Sequence, residues 1–196
     1  MKPAPAIGPN AVTQLVPALT RQGFDGMVPQ VFAGAGVSGW LADPPAVMVD
    51  ERQVAALHRT LRAELPAEQA SLVLAEAGRL TADYLLAARI PALAQAILKL
   101  LPASLSASLL VGAIKAHAWT FAGSGRFSAR SGKPLILEIT NNPLCAGEHA
   151  ATPICLWHAA VFRRLFEVLV SHHVRVDEID CEACGDDACR FSIDWS

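Results

Sequence analysis

Three cysteines lie close together near the end of the sequence, at Cys181, Cys184 and Cys189. Between them, the run Gly-Asp-Asp at 185–187 is typical of a tight turn, because Gly and Asp tolerate the backbone angles that a chain reversal needs. After the turn, apolar and polar residues alternate as far as Trp195, which predicts a half-buried strand with Cys189 on its inner face. Thiols that converge on one hairpin favour a closed, structural metal site over a catalytic one.

The composition predicts one compact cytoplasmic protein. With 196 residues, of which 53% are hydrophobic, the chain can bury a sizeable core. Its formal net charge of -2, without a long basic run, argues against nucleic acid as a partner. Residues 1–9 lack the apolar segment of a secretory signal, so the cysteines are expected to be reduced thiols, whose clustering indicates metal or redox chemistry.

Residues 84–114 are the most apolar part of the chain, yet they predict buried helices and no transmembrane segment. Charged residues and prolines interrupt the region, and its longest uncharged run, residues 100–114, has 15 residues. A membrane-spanning helix needs about 20 apolar residues. A monotopic contact with a membrane surface is the alternative interpretation.

The elements around the cysteines predict an α+β fold. Residues 1–117 are mainly helical in pattern: Asp50 is placed to cap a helix over residues 51–64, a longer helix covers residues 68–88, and Pro91 and Pro102 each begin a shorter one. From residue 118 the order becomes strand, strand, helix, strand, strand, which predicts an antiparallel sheet with helices on one face. We expect residues 1–117 and 118–196 to pack as one compact unit.

The run Gly34-Ala35-Gly36-Val37-Ser38-Gly39 matches the dinucleotide-binding pattern G-x-G-x-x-G, but its surroundings do not. Two prolines at 44 and 45 stop any helix that follows, and the nearest acids come too early for a ribose contact. Small residues that let two helices approach closely are the preferred interpretation.

Short motifs along nearly the whole chain carry a resemblance to a known family. They are Gly8-Pro9-Asn10-Ala11, Pro44-Pro45, Met48-Val49-Asp50-Glu51, residues 84–91, residues 117–125, residues 157–162 and Ala188-Cys189-Arg190-Phe191. In their order and number they resemble the J-protein family of bacteriochlorophyll biosynthesis, which is labelled bacteriochlorophyll 4-vinyl reductase. The C-terminal half resembles the wider 4-vinyl-reductase domain, found also in aromatic-sensing transcription regulators, and through it the TRAPP-subunit fold. That resemblance implies the same helices and antiparallel sheet.

The resemblance also implies a zinc site with a defined ligand set. Zinc in the sensor relatives is held by a cysteine at the start of the last helix, a glutamate and a cysteine on the next strand, and the cysteine before Arg-Phe. The matching positions here are Cys155, Glu178, Cys181 and Cys189. Thr152-Pro153 predicts the start of a helix with Cys155 in its first turn, where the helix dipole favours a thiolate.

This ligand set requires an irregular strand. Glu178 and Cys181 have opposite parity, so an ideal strand would direct them to opposite faces, and we expect a bulge near Asp177 or Asp180. Without a bulge, Cys184 or a water molecule would replace Glu178. Buried idle cysteines and a redox pair of Cys181 with Cys184 are the other interpretations.

The resemblance implies a role in bacteriochlorophyll biosynthesis, and the sequence leaves open whether that role is enzymatic. Reduction of a vinyl group needs a hydride source such as NADPH, a flavin or an iron–sulfur centre, and no nucleotide or flavin pattern is legible. We therefore expect a carrier that binds a tetrapyrrole intermediate and presents it to partner enzymes of the pathway. The alternatives are a divinyl (proto)chlorophyllide vinyl reductase and a zinc-stiffened regulatory docking module.

A tetrapyrrole carrier needs an apolar pocket with aromatic walls and an imidazole for a central magnesium. The candidate imidazoles are His117 and His158, and the candidate walls are Tyr84, Trp119, Phe121, Trp157 and Phe162. Plain core packing is the alternative for each of them. The resemblance further implies a homodimer located in the cytoplasm or at the surface of the photosynthetic membrane.

Overall fold

The computed structural model describes residues 5–195, and the first part of this range is helical. Its helices are α1 (Asn10–Thr13), α2 (Leu15–Arg21), α3 (Val28–Gly34), α4 (Gly39–Ala42), α5 (Glu51–Glu64), α6 (Ala67–Ala88), α7 (Ala92–Leu100) and α8 (Ala103–Ala116). Two short strands, β1 (Ala6–Ile7) and β2 (Val49–Asp50), pair antiparallel just before α5. The Asp50 side chain accepts a hydrogen bond from the Arg52 N–H at 2.9 Å, so the predicted cap of α5 is confirmed.

The second part carries a four-stranded antiparallel sheet and one long helix. Its elements are β3 (Arg126–Arg130), β4 (Leu135–Thr140), α9 (Leu156–Leu169), β5 (Val174–Asp180) and β6 (Cys189–Trp195). The strand order is β3-β4-β6-β5, so β6, the last of these strands in the sequence, lies inside the sheet. The predicted α+β class and its order of elements are confirmed.

Alternation along β4 and β6 builds the inner face of the sheet. Leu137 lies opposite Phe191 and Ile139 lies opposite Cys189, and all four side chains are fully buried. Because side chains alternate between the two faces of a strand, the intervening polar residues, such as Glu138 and Arg190, point to the other face. The inner face therefore carries Cys189 into the core at the end of β6.

Helix α9 packs against both α6 and the sheet, and it joins the two parts of the chain. At Gly78 of α6 the helices meet so closely that a Cβ atom would collide with the carbonyl oxygen of Trp157 and lie 2.8 Å from the Cβ of Ala160. A second close approach involves Gly34, where a Cβ atom would lie 2.8 Å from Cγ2 of Thr60 on α5. Gly34 ends a helix and follows no strand, so the small residues serve helix packing, as the sequence predicted.

Two boundaries differ from the sequence prediction. Helix α9 begins at Leu156 with Cys155 as its N-cap, and not at Thr152 and Pro153. Strand β5 ends at Asp180, because the chain turns into the 3₁₀ helix Glu182–Cys184, which Gly185 closes with a φ of 98°. Within residues 5–195, no helix combines the length and the apolar character that a membrane span requires.

Candidate functional site

Four buried cysteines come together where the ends of β4, β5, β6 and α9 meet: Cys145, Cys155, Cys181 and Cys189. Cys145 ends the 3₁₀ helix Pro143–Cys145 after β4, and Cys155 is the N-cap of α9. Cys181 directly follows β5, and Cys189 begins β6. Their sulfur atoms all lie within 4.8 Å of one another, and none of the four forms a disulfide.

The distances fit a tetrahedral metal site. The Sγ–Sγ distances are 3.4 Å for Cys155–Cys189, 3.6 Å for Cys145–Cys189 and 3.9 Å for Cys155–Cys181. A zinc ion with Zn–S bonds of about 2.3 Å separates its sulfur ligands by roughly 3.8 Å. The four buried cysteines could therefore hold a metal ion, and they would close its coordination without an open position.

The crowding of these thiols shifts their pKa values in opposite directions. Contact with the Cys145 thiol lowers the pKa of Cys181, and Cys155 and Cys189 add to that shift. Contacts with Cys145 and Cys181 raise the pKa of Cys155 well above its usual range. The thiols therefore share protons, which a divalent cation would displace, because the thiolate is the form that binds a metal.

Asn142 is fully buried and contacts two of the thiols. Its Nδ2 donates to the sulfur atoms of Cys155 at 3.3 Å and Cys189 at 3.4 Å, and its Oδ1 accepts from the Leu144 N–H at 3.1 Å. The carboxylate of Glu182 accepts from the Asn142 N–H at 2.8 Å. Hydrogen bonds of this kind orient metal ligands and spread the negative charge of a thiolate.

Glu178 lies next to the cysteine cluster. The pairing of β5 with β6 shifts register between Glu178 and Asp180, which confirms the predicted bulge near Asp180. The Glu178 Oε2 atom accepts a hydrogen bond from the Cys155 N–H at 2.7 Å, while Oε1 is buried without a hydrogen-bond partner. Burial raises the pKa of Glu178 to about 9. Its role as a metal ligand stays a prediction, and the exposed Cys184 lies outside the four-cysteine cluster.

Sequence reasoning missed Cys145. This residue lies ten positions before Cys155, a spacing that matches no common metal motif. The only signal was indirect: Asn141-Asn142-Pro143 ends β4, and β4 pairs with the strand that Cys189 begins. A cysteine just after that end must lie near Cys189, but only once the pairing of the strands is known.

The residues predicted for a tetrapyrrole fall into different environments, and three of them join the aromatic core. His158 is 1% exposed, its Nε2 lies 3.3 Å from the Phe121 carbonyl oxygen, and burial lowers its pKa to about 4. Trp157 is also buried, with its ring centroid 5.0 Å from that of His158. Phe121 packs edge-to-face on Phe127 and Phe162.

The others lie nearer to solvent. Trp119 is 57% exposed, and the imidazole of His117 is exposed with Nδ1 2.9 Å from the Ala113 carbonyl oxygen. A carbonyl oxygen only accepts, so Nδ1 carries the proton and a neutral His117 keeps a lone pair on Nε2. Tyr84 is half-buried, with the guanidinium of Arg89 5.8 Å from its ring centroid.

Two surface clefts lie elsewhere. A cleft of about 570 Å³ borders the cysteine cluster, lined by residues that include Glu51, Arg59, Ser124 and Asn142. A smaller cleft of about 270 Å³ lies between α1, α2, α3 and α4, beside Phe32. Neither cleft includes a residue predicted for the tetrapyrrole.

Comparison with known proteins finds relatives along nearly the whole chain. A family model of the 4-vinyl-reductase domain matches residues 135–194, which span β4 to β6. The chain is 51% identical over 187 residues to the bacteriochlorophyll synthase 23 kDa chain of Cereibacter sphaeroides, covering 95% of this chain and 89% of that protein. It is 44% identical over 189 residues to the protein of the same name from Rhodobacter capsulatus, covering 96% of this chain and 87% of that one.

A solved structure is also similar. The crystal structure of a vinyl-4-reductase family protein from Methanocaldococcus jannaschii aligns over 85% of this chain and 93% of that chain. The sequence identity is 11% and the TM-score is 0.37, a likeness too low to support any conclusion about this chain.

Proposed function

Because this chain belongs to the family of the bacteriochlorophyll synthase 23 kDa chain, we propose that it binds a tetrapyrrole intermediate of bacteriochlorophyll biosynthesis and presents it to partner enzymes. The name of the relatives describes one chain of a synthase, which supports partners within that pathway. A carrier role requires a surface that recognises the ligand and releases it, and it requires no hydride source.

The exposed imidazole of His117 is the observation on which this proposal rests. Its Nδ1 faces the Ala113 carbonyl oxygen, so the lone pair of Nε2 is directed away from α8 and is available to a metal. The exposed Trp119 lies two residues further along and offers a flat apolar surface. A magnesium tetrapyrrole combines a flat apolar ring with a metal that accepts an axial nitrogen ligand, and these two side chains match both features.

The buried candidates take a supporting role in this proposal. His158 and Trp157 lie in the core with Phe121, so a ligand could reach them only if α9 moved away from its neighbours. We therefore assign axial ligation to His117, ring stacking to Trp119, and support of the turn between them and β3 to Phe121. Tyr84 remains a candidate for a contact at the edge of the ring.

An absorption titration tests the proposal. Magnesium divinyl protochlorophyllide added to the purified chain should give a saturable spectral shift, and His117→Phe should weaken binding by roughly tenfold or more, since it removes the axial ligand. His173→Phe, which changes another exposed imidazole, is the matched control and should bind as the unchanged chain does. Absence of a shift would contradict the carrier role and favour the docking module.

The same sample separates the carrier from the reductase. After addition of NADPH, a carrier leaves the vinyl group intact, and pigment analysis should recover only the divinyl compound. Conversion of vinyl to ethyl by the chain alone would replace the carrier proposal with the reductase.

We further propose that the four-cysteine cluster binds zinc and acts as a structural staple. The four sulfur atoms belong to loops that separate β4, α9, β5 and β6, so one ion would fasten all of these elements together. In this proposal Glu178 remains beside the site as a hydrogen-bond partner of Cys155 and as an alternative ligand. Metal analysis of the purified chain should find about one zinc per chain, with four cysteines as a closed ligand set.

A homodimer and a location in the cytoplasm, at the surface of the photosynthetic membrane, complete the proposed function. Sedimentation velocity at several concentrations tests the dimer, since a monomer at all concentrations would contradict it.

A further inference from the structure

Helices α7 and α8, with the turn after them, present apolar side chains to solvent. Ten large hydrophobic side chains are exposed within residues 5–195, and six of these ten lie in this short segment. Their exposed fractions range from 47% to 86%. We name this surface the α7–α8 face; it consists of Leu93, Ile97, Leu100, Leu105, Leu109 and Trp119.

The helical period places these side chains on the outer side of each helix. Leu93, Ile97 and Leu100 follow the spacing i, i+4, i+7 along α7, and Leu105 and Leu109 follow i, i+4 along α8. Helix α7 buries none of its residues fully. On α8 the opposite side is buried, which leaves the leucines of both helices without a partner in the described chain.

A buried hydroxyl fixes the two helices in place. The Ser106 Oγ atom lies 2.9 Å from the carbonyl oxygen of Leu98 on α7 and 2.8 Å from that of Leu169 at the end of α9. The side-chain amide of Gln95 donates to the Ile90 carbonyl oxygen at 2.9 Å and ties α7 to the chain before it. The α7–α8 face is therefore held outward by contacts on its inner side.

The charges around this face have one sign. No Asp or Glu occurs between Asp83 and Glu138. The same segment carries Arg89 before α7, Lys99 near its end and Lys115 near the end of α8, and all three are exposed. The chain as a whole has a net charge of -2, so this cationic segment runs against the overall balance.

We propose that the α7–α8 face docks on the surface of an anionic lipid bilayer. Amphipathic helices with leucine and tryptophan on one side and basic residues at the edge lie in the boundary between headgroups and acyl chains. Each basic residue near the surface adds attraction to anionic lipid. This inference deepens the proposed location at a membrane surface and rests on that part of the proposed function alone.

A second copy of the chain fits this face less well. In a symmetric dimer the same patch meets itself, so the basic residues around one copy would oppose those of the other. Such like-charge contacts disfavour association. Anionic headgroups meet the same residues with the opposite charge.

Vesicle co-sedimentation without any tetrapyrrole tests the proposal. The unchanged chain should bind vesicles of phosphatidylglycerol and phosphatidylcholine at low salt, bind pure phosphatidylcholine at least about tenfold more weakly, and detach as salt rises. The double change Leu93→Glu and Leu100→Glu should weaken binding by more than roughly tenfold. Val47→Glu, at a side chain that is 73% exposed in a different region, is the matched control and should bind normally.

The charge reversal Lys99→Glu with Lys115→Glu should weaken binding to anionic vesicles by roughly tenfold or more. Lys133→Glu, on the turn between β3 and β4, is its control. All of these side chains are exposed, so the variants should fold, which circular dichroism verifies.

Equal binding by the Leu93/Leu100 variant and by Val47→Glu overturns the proposal, as does absence of binding to anionic vesicles at low salt. A dimer that the Leu93/Leu100 change abolishes, in a chain that ignores vesicles, overturns it in favour of self-association. Loss of vesicle binding leaves the tetrapyrrole titration unaffected, and failure of that titration leaves this test intact.

Discussion

The sulfur atoms of Cys155 and Cys189 share one neutral donor, the side-chain amide of Asn142. A buried thiolate is costly unless hydrogen bonds or a cation compensate its charge, so this amide favours the metal-binding form. Asn142→Asp would place a carboxylate against the same sulfur atoms. We expect it to weaken zinc affinity by about 10- to 100-fold. Asn141→Asp, at the exposed neighbouring position, is the control and should keep the affinity in a competition titration with a chromogenic chelator.

Cys145 distinguishes the observed cluster from the ligand set that the resemblance implied. If four cysteines hold the ion, Cys145→Ser should lower the zinc content of the purified chain well below that of the unchanged chain, because a hydroxyl is a poor ligand for zinc. Cys184→Ser, at an exposed thiol outside the cluster, should retain the metal. Full zinc content in Cys145→Ser, together with loss in Glu178→Gln, would restore the set with glutamate.

His58 makes stability depend on pH. It is buried, its Nε2 lies 2.8 Å from the Ala11 carbonyl oxygen, and burial lowers its pKa from 6.5 to about 3, with the charge of Arg62 adding to the shift. Between these values the unfolded chain binds a proton that the folded chain refuses. The free energy of unfolding should therefore fall as pH drops below 6.5, by up to about 1.4 kcal/mol per pH unit from this group.

Urea unfolding at pH 7 and pH 5 measures this slope. His58→Gln should flatten it, while His173→Gln, at an exposed position, should leave it unchanged. His158 is expected to act in the same direction, because burial also lowers its pKa. An identical slope in the His58→Gln protein would contradict the assignment.

The burial of His158 could have been read from the sequence. It lies four residues before Phe162 and seven before Leu165, the spacing of one helix side, and both of these residues are in the core. The exposure of His117 could not be read in this way, because it follows the end of α8 and depends on how the next turn packs. Local pattern therefore predicts which side of a helix is buried, but says little about a residue between elements.

At the scale of elements, the contact of α6 with α9 rests on Gly78. A methyl group there would collide with the backbone of Trp157, so Gly78→Ala should force the helices apart and reduce the free energy of unfolding by about 1–3 kcal/mol. Gly112 on α8 is the matched control, because a methyl group at that position would meet no other atom within 4 Å and the helical backbone suits alanine. Gly112→Ala should stabilise the chain by about 0.5–1 kcal/mol in the same unfolding experiment.

The helices and strands were predicted well where period and caps decide them. The capped start of α5, the proline-led starts of α7 and α8, and the alternation along β4 and β6 are all local signals. The start of α9 and the end of β5 were misplaced because distant groups decide them. The Cys155 N–H bonds to Glu178 from another element, and the carboxylate of Glu182 holds the backbone of Asn141 and Asn142. No local spacing encodes those contacts.

At the scale of the whole molecule, one hydrophobic core runs from Ile7 to Ile193 and includes residues from both parts of the chain. A zinc ion that fastens the sheet should therefore stabilise the helices as well. Removing it with a strong chelator should lower Tm in a single transition; at free zinc about 1,000 times Kd, the bound ion contributes about 4 kcal/mol. A Cys181→Ser chain should unfold at a lower temperature and show no further response to the chelator.

The motif resemblance is confirmed by relatives that are 51% and 44% identical over nearly the whole chain. The α+β class is confirmed by the arrangement of the elements. The division at residue 118 stays a prediction, as do the zinc, the tetrapyrrole and the dimer. These depend on bound partners, whose chemistry the chain suggests through a few side chains only.

The place of β6 inside the sheet has a consequence for synthesis on the ribosome. Among the strands of residues 5–195, β6 leaves the ribosome last, yet β4 and β5 both need it as a neighbour. Until then each has an unpaired edge, and the thiols of Cys145, Cys155 and Cys181 await Cys189. Sheet closure and metal capture therefore complete together at the end of translation. A stalled or prematurely ended nascent chain would expose edges and thiols that chaperones and proteases recognise.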